Sequence, residues 1–236
     1  MIHFKKITLN YGHVPGALKD INLRLHEGEF TLLLGPTGSG KSTLLRLIYM
    51  DILPSQGIVQ VGKWTSNNIS PRQINLLRRN VGVVFQDFRL IENMSVFDNV
   101  ALPLVIESYR KSQINKLVHG LLNEVNLSHA SHQQASTLSS GEKQRVAIAR
   151  AMVKDPIVLV ADEPTGNLDR EASKNVLSLL ERINRNGTSV VMATHDYELI
   201  KDTKHRRIYM EYGEVLPAGR TVPLSNKRIT ILTQEE

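Results

Sequence analysis

Apolar residues gather in short runs at 2–9, 30–34, 58–61, 81–85, 157–161 and 189–193. Several runs, such as Phe-Thr-Leu-Leu-Leu at 30–34 and Ile-Val-Leu-Val-Ala at 157–161, are continuous rather than alternating. A strand covered on both faces reads that way, whereas a half-exposed strand alternates. Between the runs, apolar residues recur three and four apart at 41–50, 71–79, 112–125, 141–153 and 170–184, which predicts helices. Strands alternating with helices predict an α/β fold with a mostly parallel sheet. The stretch 87–155 has no strand-like run and no linker rich in Gly, Pro or Ser, so it reads as a helical insertion in the α/β core. The expected organisation is a single domain over 1–236: core segments at about 1–86 and 156–216, the helical subdomain at 87–155, and a tail from Pro217. That tail, with an apolar piece at 229–232, reads as an extra strand or as loose chain.

Composition narrows the chemistry. A chain of 236 residues, 41% apolar, can bury a substantial core without staples. It contains no cysteine, which excludes disulfides, thiolate zinc sites, iron–sulfur clusters and a cysteine nucleophile. The start MIHFKKITLN lacks the apolar stretch of about 7–15 residues that a secretory signal needs. No apolar run approaches the ~18 residues that cross a bilayer. The expectation is a soluble chain on the cytoplasmic side, reaching a membrane only through a partner. Basic side chains outnumber acidic ones 29 to 23, but they are dispersed, and aromatics are only 5%. No base-stacking platform emerges, so no nucleic-acid partner is expected.

The string Gly35-Pro36-Thr37-Gly38-Ser39-Gly40-Lys41-Ser42 follows the apolar run 30–34 and opens a predicted helix. It matches the phosphate-binding-loop pattern in the right context. Glycines let backbone N–H groups curl around phosphate oxygens, and the helix start adds partial positive charge. Lys41 is then the contact to the β- and γ-phosphates, Ser42 a magnesium ligand, and Thr43 a contact to the α-phosphate. A second buried run ends in the adjacent carboxylates Asp162 and Glu163. At the C-terminal edge of an open sheet these suit a magnesium ligand, Asp162, and a general base on water, Glu163.

Between these motifs lies Leu138-Ser139-Ser140-Gly141-Glu142-Lys143-Gln144-Arg145, continued by Val-Ala-Ile-Ala-Arg-Ala at 146–151. It resembles the signature of ATP-binding-cassette ATPases and stands in that family's order. Gln86, the segment Gly166-Asn167-Leu168-Asp169 and His195 fall into sequence with it. The resemblance covers 2–213. It implies a P-loop NTPase core with a mostly parallel sheet, an N-terminal antiparallel β subdomain and an inserted α-helical subdomain. It also implies an ATP hydrolase using ATP and magnesium. Ser139, Ser140, Gly141 and Glu142 would form a half-site that closes over ATP held by a second copy. Gln86 would complete the magnesium shell, His195 would sense the γ-phosphate, Asp169 would cross the dimer seam, and Tyr11 would stack on adenine. Catalysis would rest on Glu163, His195 and Lys41. Two departures stand out: Ser140 replaces the commoner glycine, and Glu142 replaces the usual glutamine, putting a negative charge beside the phosphates.

The run Phe-Gln-Asp-Phe-Arg-Leu-Ile at 85–91, followed by Ser-Val-Phe-Asp-Asn-Val, is similar to the cell-division branch of the family. Val-Ala-Asp-Glu-Pro-Thr-Gly-Asn-Leu-Asp at 160–169 is shared with the lipoprotein-release and macrolide-export branches, which stand as the alternative. The cell-division branch implies an integral membrane partner of FtsX type, docking near Phe88, Leu90 and Ile91. ATP cycling would there control cell-wall hydrolases.

Overall fold

The computed structural model describes residues 2–11, 14–217, 221–224 and 227–230, with backbone alone at 11, 14–15, 221–224 and 227–230. An antiparallel sheet contains β1 (Ile2–Tyr11), β2 (Val14–Leu25), β4 (Gln56–Val61) and β5 (Trp64–Thr65), in the order β2-β1-β4-β5. A second sheet contains β3 (Phe30–Leu34), β6 (Val81–Val84), β7 (Val158–Asp162), β8 (Ser189–Thr194), β9 (Arg206–Glu211) and β10 (Glu214–Val215). Its order is β10-β9-β3-β8-β7-β6, with β9 to β6 parallel and β10 antiparallel to β9.

The continuous apolar runs belong to the middle of the second sheet, and alternate residues point into two separate cores. Leu32 and Leu34 of β3, Leu159 and Ala161 of β7, and Val190 and Met192 of β8 face one cluster. Leu33, Val158, Val160, Val191 and Ala193 face the other. Each fully buried aliphatic side chain contributes about 1.5–3 kcal/mol; the buried polar residues of β3 and β8 are Thr31, Ser189 and Thr194.

The helices are α1 (Lys41–Ile48), α2 (Pro71–Arg78), α3 (Val96–Ile106), α4 (Lys111–Glu124), α5 (Ser140–Met152), α6 (Arg170–Arg185) and the short α7 (Tyr197–Ile200). The second cluster joins the sheet to α1 through Leu44, Leu45, Leu47 and Ile48, and to the antiparallel sheet through Ile7, Leu9, Leu18 and Ile21. The first joins it to α3 through α6, with Val100, Leu104, Val118, Leu122, Val146, Ile148, Val176 and Leu180. Residues 87–155 hold α3, α4 and α5 and, among the described residues, no strand beyond a bridge between Ser95 and Gln134. No described helix is long and apolar enough to cross a membrane.

Several elements depart from the periodicity reading. The strand runs are trimmed at Phe85 and Ile157; the latter is 45% exposed and lies outside β7. The helix α3 is not predicted, because its sequence is apolar almost all round and contains Pro103, so the amphipathic period is lost and a breaker stands within it. The strand β2 is hidden by bulges in its register with β1 and by Asp20 at φ 45°. In the tail, the expected extra strand is one of a pair: β11 (Thr221–Leu224) lies antiparallel to β12 (Lys227–Thr230). Ile231 and Leu232, which end the apolar piece of the sequence reading, lie outside the described residues.

The topology fixes where the chemistry collects. Leu34 ends β3 opposite Thr194 of β8, and Asp162 ends β7 opposite Ala193. The phosphate-binding string, the two carboxylates and His195 therefore leave the sheet at the same C-terminal edge, where ligands of open α/β sheets bind.

Candidate active site

The loop from Gly35 to Gly40 is shaped by glycines whose backbones no other residue could replace. Gly35 has φ 147°, and a Cβ there would overlap the Met210 carbonyl oxygen. Gly38, at φ 81°, faces open space. The Ser39 hydroxyl is buried without a hydrogen-bond partner, while exposed Pro36 and Thr37 line the outside. Helix α1 starts from left-handed Gly40 with no side-chain cap, whereas Ser70, Ser95, Ser139 and Asp169 cap α2, α3, α5 and α6. An uncapped helix start behind an open, amide-rich loop fits a polyphosphate. Lys41, only 5% exposed, closes the loop by donating Nζ to the carbonyls of Gly35 (2.8 Å) and Pro36 (3.2 Å).

Glu163 is the meeting point of the site. Its backbone is left-handed at φ 46°, and its N–H donates to the Ala193 carbonyl at 3.0 Å. One carboxylate oxygen lies 3.5 Å from Lys41 Nζ. The other lies 2.9 Å from His195 Nδ1 and 3.3 Å from the His195 backbone N–H. A carboxylate only accepts, so the imidazole carries a hydrogen on Nδ1. Asp162, one residue earlier, accepts from the Ser42 hydroxyl at 2.9 Å. Burial, the largest cause, pushes the Asp162 carboxyl above its ordinary pKa; Ser42 and Lys41 oppose this, and Glu163 adds to it. A desolvated carboxylate facing a hydroxyl suits a hard cation. Among the described residues no three His, Asp or Glu side chains gather as a protein-only metal cage. Ser42 and Asp162 would thus share such an ion with phosphate oxygens.

The other expected residues stand further off. Gln86 is exposed; its carbonyl accepts from Asn167 Nδ2 at 3.0 Å, and its side-chain amide lies against Gly166. Ser139 caps α5: its hydroxyl donates to Glu142 Oε2 at 2.6 Å and accepts the Glu142 N–H at 3.4 Å. Hydrogen bonds from the Ser139 hydroxyl and backbone hold the Glu142 carboxyl below its ordinary pKa. The negative charge that replaces the usual glutamine is thus turned onto its own helix start. Ser140 opens the first turn of α5, and Gly141 packs beside Ala172 of α6. Asp169 caps α6 by accepting from the Ala172 N–H at 2.8 Å. Tyr11 ends β1, and its side chain lies outside the described residues. The sequence reading missed Tyr197, which lines the same cleft as Glu163 and His195; its hydroxyl pKa is pushed up to about 12, mainly by burial, and further by Tyr209 and Glu163. Nothing in the string after His195 marks it, because its place in the cleft depends on how α7 follows β8.

A glycine-shaped loop before an uncapped helix start, with two adjacent carboxylates and a histidine at the same sheet edge, is the arrangement of a nucleotide-binding α/β enzyme. The chain belongs to the ABC transporter family, which matches residues 18–166, and is an ATPase of that type. It is 45% identical over 217 residues to the cell division ATP-binding protein FtsE of Mycobacterium tuberculosis, covering 92% of this chain and 94% of the relative. It is 42% identical over 222 residues to the methionine import ATP-binding protein MetN of Clostridioides difficile, covering 94% of this chain and 69% of that relative. Its fold matches the dimeric post-hydrolysis state of the ATP-binding cassette MJ0796 bound to ADP and phosphate, at TM-score 0.82 and 31% identity, over 99% of this chain and all of that one.

Two outcomes follow from this geometry. Gly35→Ala forces a Cβ into the Met210 carbonyl, so ATP affinity should fall by at least about tenfold, or 1.4 kcal/mol, with helix content unchanged by circular dichroism. Glu142→Gln removes the charge while keeping an N3 residue able to cap. It should strengthen ATP-dependent self-association by roughly two- to fivefold by sedimentation, corresponding to the 0.3–1 kcal/mol typical of a charge at a helix end.

Proposed function

We propose that this chain is a magnesium-dependent ATP hydrolase that dimerises head to tail around two ATP molecules and drives a conformational change in an integral membrane partner. The observation that carries the hydrolytic reading is the Glu163 carboxylate seated between Lys41 Nζ and His195 Nδ1 at the edge of the phosphate loop. In this reading the loop from Gly35 to Thr43 binds the phosphates, with Lys41 on the β- and γ-phosphates. Glu163 takes the proton of the attacking water, and His195 orients that water and the γ-phosphate. Ser42, Asp162 and Gln86 would hold a magnesium ion, which supplies charge neutralisation at the phosphate oxygens. Ser139, Ser140 and Gly141 of a second copy close the site as anion donors, with Asp169 at the seam and Tyr11 on adenine.

The cell-division assignment draws on the similarity to FtsE and on the 85–91 run, and it gives a partner of FtsX type on the inner face of the membrane. MetN similarity supports an importer as the second reading, and identification of the co-purifying membrane chain separates the two. In either case the seat is the turn bearing half-buried Phe88 and Leu90 and exposed Ile91. Residues 87–155 would move with it as a lobe.

Glu163→Gln should keep ATP binding, cut steady-state hydrolysis by about 10²- to 10⁴-fold and prolong the dimer; an unchanged phosphate-release rate would refute the general-base role. Phe88→Asp should spare ATP binding measured by calorimetry but abolish co-purification with the membrane chain. Full co-purification removes the docking assignment.

A further inference from the structure

The turn that would seat the membrane partner is built from two successive left-handed residues, Phe88 at φ 58° and Arg89 at φ 50°. Bulky side chains rarely adopt that conformation, and two in a row need an outside restraint. In a helical sense of either hand, consecutive carbonyls point the same way. Here both point at one side chain: Arg150 donates through one terminal nitrogen to the Arg89 carbonyl at 2.5 Å and through the other to the Phe88 carbonyl at 2.7 Å. A planar guanidinium meets the two carbonyls through two separate nitrogens at a fixed spacing, which a point-like ammonium does not reproduce. Burial holds the Arg150 pKa below the ordinary arginine range, and the two carbonyl dipoles compensate its charge.

The next residues are tied to the same lobe. Fully buried Asn99 of α3 accepts from the Ile91 N–H at 2.8 Å and donates to the Ile91 carbonyl at 3.0 Å. Just upstream the allegiance changes: the Gln86 carbonyl is held at 3.0 Å by Asn167, which follows the catalytic strand. The chain thus passes from core to lobe between Gln86 and Phe88. On the lobe side the attachment leads to α5, whose far end carries Ser139 to Gly141. From Ser140 to Arg150 that helix spans about 15 Å. It packs against α3, α4, α6 and β6, so it moves as a rod rather than bending.

We infer that Arg150 is the positioning residue that couples the partner's seat to the signature half-site, so that displacement of 88–91 moves the start of α5. This rests on the docking reading above. It gives Arg150 no contact with nucleotide; its effect on hydrolysis passes through the placement of Ser139 to Gly141.

The test assays the membrane-purified complex and the isolated chain side by side. Arg150→Met should leave ATP binding and the yield of co-purified membrane chain at wild-type levels, while partner-dependent acceleration of hydrolysis falls at least tenfold. Arg150→Lys keeps the charge but not the fork, and should fall between the two. Amide hydrogen exchange at 140–143 should respond to the partner in the wild type and not in Arg150→Met. Wild-type acceleration in Arg150→Met overturns the inference, and so does lost acceleration with a wild-type exchange response, because Arg150 would then serve folding or docking alone. If the Met variant does not fold, the Lys variant decides, with wild-type acceleration counting against the fork. A Phe88→Asp chain that still co-purifies fully sinks the docking reading separately, and leaves the coupling to be judged on the two Arg150 variants.

Discussion

Glu163 has to point away from the strand that carries it, stay nearly dry and remain charged, and these demands conflict. Its left-handed backbone costs roughly 1–2 kcal/mol. At 13% exposure its carboxylate also loses most of its hydration. The His195 contact offsets little of this, since the histidine side chain is 55% exposed and such pairs contribute about 0.2–1 kcal/mol. The compensating charge comes from Lys41, almost fully buried beside it; removing either member would leave the other charge unpaired, at about 3–5 kcal/mol, although the pair itself adds little net stability. Lysine and glutamate therefore hold each other in the folded chain. Lys41 is also bound to the Gly35 and Pro36 carbonyls, so the loop, the base and the histidine form one electrostatic unit. In the proposed role, a γ-phosphate entering the loop would compete for the same ammonium and so free the Glu163 carboxylate.

The helix starts divide the labour in a related way. Four of the longer helices neutralise their first amides with a serine or aspartate from their own chain. At α1 the preceding residue is a left-handed glycine with no side chain to offer, which leaves the positive end of the helix for a ligand. At α5 the situation is intermediate. The Ser139 hydroxyl is engaged by Glu142, yet a 2.6 Å bond between two side chains at the surface can be exchanged for a phosphate oxygen brought by another molecule. In the proposed role, the start of α5 is a capped helix that would have to exchange this bond for one to phosphate when a second copy arrives.

Much of this was legible in the sequence, for identifiable reasons. The doubly buried strands advertise themselves through unbroken apolar runs, and the loop from Gly35 to Ser42 is recognisable because backbone chemistry dictates its residues. What stayed hidden is carried by non-local geometry. Helix α3 has no amphipathic signal, because beside its buried Val96, Val100, Ala101 and Leu104 it carries apolar Val105 and Ile106 on the exposed side. Strand β2 bends through bulges that destroy alternation. Tyr197 and Asn99 matter through three-dimensional neighbours, the cleft beside Glu163 in one case and the turn ending at Ile91 in the other. The meaning of Glu142 could not be read from its charge alone. A glutamate three residues after a serine is both an unwelcome anion beside phosphate and a proper capping-box member, and only the observed bond to Ser139 decides between them.

The passage from core to lobe between Gln86 and Phe88 places the two halves of the machine on opposite sides of a very short segment. Upstream, β6 is locked into the parallel sheet beside β7, the strand that ends in Asp162 and Glu163. Downstream, the turn is lashed to lobe helices by Arg150 and Asn99. The Arg89 guanidinium adds a third restraint by lying 3.8 Å over the Phe85 ring while pairing with Asp87 at 3.2 Å. Cation–π and exposed ion pairs of this kind contribute about 0.5–1 kcal/mol each, enough to set a preferred angle and too little to freeze it. The lobe also shares one apolar cluster with the sheet, so in the proposed coupling a push at the turn would shift α5 against β6 and α6 rather than swing a free body. The fold thereby separates the group that cleaves the phosphate from the group that decides when the cleft is closed.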